Sequence, residues 1–212
     1  MLAGQTCVYN GYEVCLFPLD YLYCTQKYGA GTYSHCCTKA TDWIGTTTHY
    51  PVYAPFSCHR IWNDYGSGYG DCAFQSDNKV WTPQGLEYVT LVLTHDDNPD
   101  FSKNSFSQGE LIARTGTTPI GLVTGDHIHI EASNIQGARL VDSGYSCQAG
   151  GSNCYYLNGV QKPEDIFYLT GDEQIISTQG LNFETWQGSP IGSSGFKWWF
   201  CRYQLQKKKG LI

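Results

Sequence analysis

Apolar, β-branched and aromatic residues fall into short runs separated by glycine, proline and polar turn formers, and the runs read as strands. "FPLDYLYCTQKYG" (17–29) predicts an apolar strand entering a glycine loop, and residues 31–50 predict a polar loop rich in Gly, Thr and Ser. "YPVYAPFSCHRIW" (50–62), "VWTPQG" (80–85) and "EYVTLVLTH" (87–95) predict strands, the last buried and ending on a histidine. A loop over 96–109 precedes a short strand, "ELIARTG" (110–116), and "TTPIGLVTG" (117–125) leads into "DHIHIEAS" (126–133). Beyond residue 134 the pattern weakens. "GARLVDSGYSCQAGGSNCYYLNG" (137–159) predicts a hairpin or excursion, and "KPEDIFYL" (162–169) one helical turn with Pro163 near its start. The last forty residues read as strand-like and aromatic, with a basic run at Lys207, Lys208 and Lys209 that reads as a solvated tail.

The 126–133 segment raises a chemical question. Successive strand side chains point to opposite faces, so His127, His129 and Glu131 share one face while Ile128 and Ile130 share the other. Alternation places the two rings together without saying what either does.

Composition narrows the setting. A chain of 212 residues is enough for one domain, or one domain with a modest appendage. Its 24 glycines and 16 tyrosines, with only 15% charged residues, favour a mainly β domain with long loops. A net charge of -6 with 13 Lys+Arg argues against a nucleic-acid partner, whose phosphates call for a basic patch. No run approaches the ~20 apolar residues of a membrane span. The opening "MLAGQTCVYNGYEVC" lacks the basic start and apolar stretch of a signal peptide.

Ten cysteines leave two readings open: disulfides, with Cys147 and Cys154 able to close a short glycine-rich loop, or small buried hydrophobes. No CxxC pair is present, which disfavours a structural zinc knuckle. Cys36 and Cys37 next to His35 suggest a thiol peptidase only if a thiolate of low pKa meets a paired base, and the surrounding sequence resembles no such enzyme.

Six histidines (His35, His49, His59, His95, His127 and His129) are the remaining chemistry. A catalytic zinc takes three protein ligands and keeps a position for water, so an H-x-H strand needs at least one ligand from elsewhere. "SHCCTKATDW" offers His35 and Asp42 in a loop that can turn back on itself, and "LTHDDN" offers His95 where a buried strand runs out. His49 is a possible substitute for one of the loop ligands. Glu131 is either a partner that orients a ligand or a solvated carboxylate. Trp43 and Tyr50 either wall a groove or pack.

The order of these segments resembles the M23 peptidases, the lysostaphin-like and LytM-like zinc endopeptidases that cut peptidoglycan. "PVYAPFSCHRIW" (51–62) is similar to the family strand "pVyAp.dG.V", with Cys58 in place of the usual glycine. "NSFSQGELIARTGTTP" (104–119) is similar to "V..Gq.Ig..G.TG", and "DHIHIE" (126–131) to the terminal "H.HFE". The resemblance covers about residues 20–134, with a faint extension through "NGVQKPEDIFYL" (158–169). The family's H-x-x-x-D spacing is lengthened here, since residues 36–41 separate His35 from Asp42.

The resemblance implies His35, Asp42 and His129 as ligands of one Zn2+ per chain, and His95 and His127 as catalytic histidines that do not bind it. It implies a single antiparallel β-sheet that forms a groove, walled by long loops. The peptidase core would occupy 1–134, with the first ~20 residues peripheral, and 135–212 would be a β-rich elaboration. The implied substrate is the stem peptide or cross-bridge of bacterial peptidoglycan. A bacteriophage origin follows as an expectation, with the protein acting at the bacterial cell wall as a virion tail-tip component or an endolysin. Other phage tail proteins are then candidate partners. The alternative is a catalytically degenerate structural or wall-binding component of a phage tail.

Overall fold

The computed structural model describes residues 1–29, 34–35, 38–65, 70–118, 123–146 and 153–188. Its strands begin with the hairpin of β1 (Val8–Tyr9) and β2 (Tyr12–Glu13). There follow β3 (Tyr21–Gln26), β4 (Thr41–Ile44), β5 (Pro51–Tyr53), β6 (Cys58–Asn63), β7 (Cys72–Ser76), β8 (Val80–Thr82), β9 (Gly85–Glu87) and β10 (Thr90–Thr94). The remainder are β11 (Ser105–Phe106), β12 (Leu111–Arg114), β13 (Ile128–Ser133), β14 (Leu140–Ser146), β15 (Asn153–Leu157), β16 (Val160–Gln161) and β17 (Gln174–Ser177). One helical turn, α1 (Pro163–Ile166), interrupts them, with Pro163 in its first turn, where a missing N–H costs nothing. The fold is mainly β.

Nine strands form one sheet in the order β11-β6-β7-β10-β13-β4-β3-β17, with β16 added alongside β13. The pairings are antiparallel except for β17, which runs parallel to β3, so the sheet expected to be antiparallel throughout carries one parallel edge. Small two-stranded sheets, among them β5 with β12 and β14 with β15, flank it. Because β16 and β17 join the main sheet, segments beyond residue 134 are stitched into the same structure as β3–β13. The amino-terminal segment is also packed inside: Cys15, Leu16, Phe17 and Leu19 are buried.

The expected polar loop over 31–50 needs correction, because Thr41–Ile44 is a strand in the middle of the sheet. Its sequence, TDWI, is short, and Asp is a poor strand former, so local preference does not announce it. Tertiary pairing decides the matter: β4 lies between β3 and β13, and Trp43, fully buried, packs its ring 4.7 Å from that of Phe17.

The alternation within β13 and β10 divides the sheet into two faces. Ile128, Ile130 and Ala132 join Trp43, Leu91 and Leu93 in the large core. On the opposite face, Val92 joins Ala73, Ala138, Leu157 and Val160 in a second, smaller cluster. His129 and Glu131 stand on that second face, opposite Thr94 and Val92 of β10.

Candidate functional site

Two central strands place the first pair. β13 and β4 align antiparallel with His129 directly opposite Asp42 and Ile128 opposite Trp43. A cross-strand pair of this kind holds its Cβ atoms about 4.5–5.5 Å apart, close enough for a carboxylate to reach an imidazole. Asp42 Oδ1 lies 3.0 Å from His129 Nδ1. His35 arrives from the segment preceding β4, and its Nε2 lies 3.2 Å from His129 Nδ1 and 3.2 Å from Asp42 Oδ1. Its side chain is 1% exposed.

These three atoms form a nearly equilateral triangle. A tetrahedral ion with bonds of about 2.0–2.1 Å separates neighbouring ligand atoms by about 3.3 Å, close to the spacing observed. Two imidazole nitrogens and one carboxylate oxygen make a donor set that suits zinc. His49 is not part of the triangle, because its Nε2 lies 3.3 Å from Asp97 Oδ2 instead.

Electrostatics point the same way. Burial works against the charged form of Asp42, yet the hydrogen bonds and charge of His129 and His35 outweigh it and hold the carboxyl far below the usual range. Burial also opposes a charged His129, but Asp42 on one side and Glu131 on the other raise its pKa to about 10. Two carboxylates converge on one ring, and the cluster is satisfied only by a positive charge at its centre. A proton on the ring supplies it, and so does a divalent cation.

The other two histidines face this cluster. His127, two residues before His129, donates Nδ1–H to the carbonyl of Gly125 at 2.8 Å, leaving Nε2 3.6 Å from Asp42 Oδ2. His95, just past the end of β10, donates Nδ1–H to the carbonyl of Thr118 at 2.6 Å. The His95 and His127 ring centroids are 4.5 Å apart, and His95 lies 5.9 Å from His129. Each of the pair has Nδ1 tied to main chain, so each neutral ring offers the Nε2 lone pair. Burial and the neighbouring His129 and His127 lower the His95 pKa to about 3, which keeps that ring neutral.

Local backbone geometry holds these rings in place. His95 has φ 86°, a left-handed conformation that a non-glycine residue adopts only when its surroundings impose it. Gly116 lies close by, since an added Cβ there would lie 2.1 Å from the His95 carbonyl oxygen. Gly116 also exchanges both main-chain hydrogen bonds with His127, at 2.9 and 3.0 Å. One glycine thus touches the supports of both histidines.

The five residues expected from sequence (His35, Asp42, His95, His127 and His129) therefore converge on one cluster. His59 stands apart and pairs with Asp77 at 2.7 Å. Trp43 faces the large core rather than a groove, and Tyr50 donates its hydroxyl to Asp20 at 2.9 Å. Glu131 is no solvated carboxylate: it is buried, with Oε1 3.3 Å from His129 Nε2. Its shared parity with His127 and His129 was the available signal. Asp71, beside the cluster, had no such signal. Burial and the nearby Asp64 raise its pKa to about 7, although it accepts Thr94 Oγ1–H at 2.6 Å. Cys15, Cys24, Cys58 and Cys72 are buried free thiols, and burial raises the pKa of each. Cys36, Cys37, Cys147, Cys201 and Lys207–Lys209 lie outside the described residues. Among the described residues no helix is long and apolar enough to cross a membrane.

No family model matches the chain. It is 32% identical over 181 residues to "Morphogenesis protein 1" of Bacillus phage B103, a match that covers 83% of this chain and 45% of that protein. The chain thus spans less than half the length of that relative. Among solved structures it is similar to a zinc-containing peptidase from Vibrio cholerae, with TM-score 0.42 and 20% identity over 59% of this chain and 41% of that one. It is also similar to the catalytic domain of the antimicrobial peptidase lysostaphin from Staphylococcus simulans, with TM-score 0.37 and 18% identity over 54% and 80% of the two chains. A third is the catalytic domain of a prophage-encoded M23 protein from Enterococcus faecalis, with TM-score 0.36 and 15% identity over 65% and 85%.

Proposed function

We propose that the chain is a zinc-dependent endopeptidase of the M23 type that hydrolyses peptide bonds of bacterial peptidoglycan. The observation that carries this reading is the triangle of His35 Nε2, Asp42 Oδ1 and His129 Nδ1, with sides of 3.0–3.2 Å, faced by two histidines that do not belong to it. His35, Asp42 and His129 hold the metal. Bound there, zinc supplies a Lewis acid that polarises a carbonyl and lowers the pKa of water from ~15.7 towards ~7.

The protein's own groups do the rest. His127 and His95 each have Nδ1–H bonded to a main-chain carbonyl, that of Gly125 and of Thr118, which leaves Nε2 as the nitrogen that can accept a proton. One accepts the proton of the attacking water and returns a proton to the leaving amine, a role typically worth ~10²–10⁴-fold. The other, once protonated, donates to the oxyanion of the tetrahedral intermediate. Burial and the neighbouring His129 and His127 hold the His95 pKa near 3, so in the free protein that ring is neutral.

The name of the phage relative supports placing this activity in a phage particle, where a wall-cutting domain opens the envelope. The same name supports a second reading, a structural component whose metal site is vestigial. One experiment separates them. Metal analysis of the purified protein and mass spectrometry of peptidoglycan incubated with it should give about one zinc per chain and new amino termini that disappear with chelator. A protein without metal that leaves muropeptides intact is the structural component, and the enzyme reading fails.

A further inference from the structure

We propose that Glu131 is a positioning residue for the metal centre and that, through it, the β14–β15 hairpin belongs to the support of that centre. The inference rests on reading His35, Asp42 and His129 as the ligands. Glu131 lies two residues after His129 on β13 and therefore on the same face. Its side chain is 4% exposed, so its charge has to be answered by protein groups.

Each oxygen of Glu131 fastens a different piece. Oε1 lies 3.3 Å from His129 Nε2 and accepts the Thr38 hydroxyl at 3.2 Å, which ties in the segment leading from His35 to β4. Oε2 accepts the main-chain N–H of Leu157, the last residue of β15. Leu157 is fully buried in the small cluster with Ala73, Val92, Ala138 and Val160, on the face that also bears His129. The hairpin therefore packs on the face that bears His129, and this carboxylate's bond to the Leu157 N–H links it to the ligand strand.

The consequence for His129 is a choice of tautomer. An ionised carboxylate only accepts, so the proton of a neutral ring is drawn to Nε2. Nδ1 then presents its lone pair into the triangle with Asp42 and His35. Without Glu131, Asp42 would draw the proton to Nδ1, and the two groups would satisfy each other with no cation between them. Glu131 disfavours that closed pair. It acts through His129 and touches no reacting atom.

The test uses the full chain and zinc itself, measured by competition with a chromogenic chelator. Glu131→Gln keeps the shape but can accept through only one oxygen, and its zinc affinity should fall about 10–100-fold. Thr38→Val, which removes one of the three bonds, should lower it less. A merely structural Glu131 would lower the melting temperature equally with and without zinc and leave the dissociation constant unchanged; that result overturns the proposal. Two measurements on the unmodified protein need no variant. Long-range nitrogen-15 spectra of the zinc-loaded form should show the His129 proton on Nε2, and the Leu157 amide should exchange more slowly with zinc than without. A proton on Nδ1 overturns the positioning role, and unchanged exchange overturns the role of the hairpin. If the unmodified protein binds no zinc, the ligand assignment itself falls, which differs from normal zinc binding by Glu131→Gln.

Discussion

Asp42 and His129 are directly opposed on neighbouring antiparallel strands, and Oδ1 of one lies 3.0 Å from Nδ1 of the other. Two of the three proposed ligands are therefore set by sheet register, which a one-residue slip would destroy by turning each side chain to the other face. His127 sits on the same side but lies outside that pairing, with its Nδ1 committed to Gly125. The two histidines should separate on mutation. His129→Ala is expected to lose stoichiometric zinc, and His127→Ala to keep it while turnover drops by roughly 10²–10⁴-fold. Metal analysis beside muropeptide release checks both, and equal zinc loss in the two variants would refute the division.

Much of this was legible in the chain. Parity along 127–131 placed two histidines and Glu131 on one face, and β10 was readable as a buried run ending at His95. The strand carrying Asp42 was not, because TDWI declares itself only through partners on both sides, β3 and β13. The same holds for the hairpin on the site face: its contact to Glu131 joins residues 26 positions apart and leaves no local pattern. Nor does any periodicity show that Asp64 stands beside Asp71. Local preference fixes what a strand displays, whereas long-range pairing fixes what it faces.

Gly116 is a position where one methyl group should be felt at the site. Its added Cβ would meet the His95 carbonyl oxygen at 2.1 Å and the Asp97 nitrogen at 2.7 Å, both main-chain atoms that cannot swing aside. Gly116→Ala should destabilise the fold by about 1–3 kcal/mol, read as a lower urea midpoint. Because His95 and His127 both lean on this glycine, turnover should fall further than stability alone explains under conditions where the variant is fully folded. An alanine variant with unchanged midpoint and turnover would show that the strand shifts freely.

Four of the buried thiols, Cys15, Cys24, Cys58 and Cys72, should be chemically silent in the native protein. Burial pushes Cys24 and Cys72 up to about 12, so thiolate is scarce at neutral pH and reagent access is blocked. Peptide mapping after iodoacetamide treatment of the native protein should find these four positions unlabelled, and labelled in full after denaturation. Label at Cys24 or Cys72 in the native state would mean that the core opens far more readily than its packing indicates.

Asp71 makes a prediction about pH whose sign follows from proton counting. An unfolded aspartate ionises near 3.9. In the folded protein, burial delays Asp71 to about 7, with Asp64 adding to the effect. Between those values the folded chain holds a proton that the unfolded chain has released, so this group's contribution to stability falls as pH rises through the window. Below pH ~4 both states are protonated and the group is neutral in effect, while above ~7 the penalty is complete. Asp71→Asn removes the titration and retains an oxygen to accept the Thr94 hydroxyl, a bond of 2.6 Å in the parent. The melting temperature of the variant relative to the parent, taken in chelator, should therefore climb from pH 4 to 7 and level off above it. Each kcal/mol relieved corresponds to roughly 2–4 °C for a chain of this size. A difference that stays flat across the range, or shrinks as pH rises, would place the Asp71 carboxyl in water rather than against the sheet.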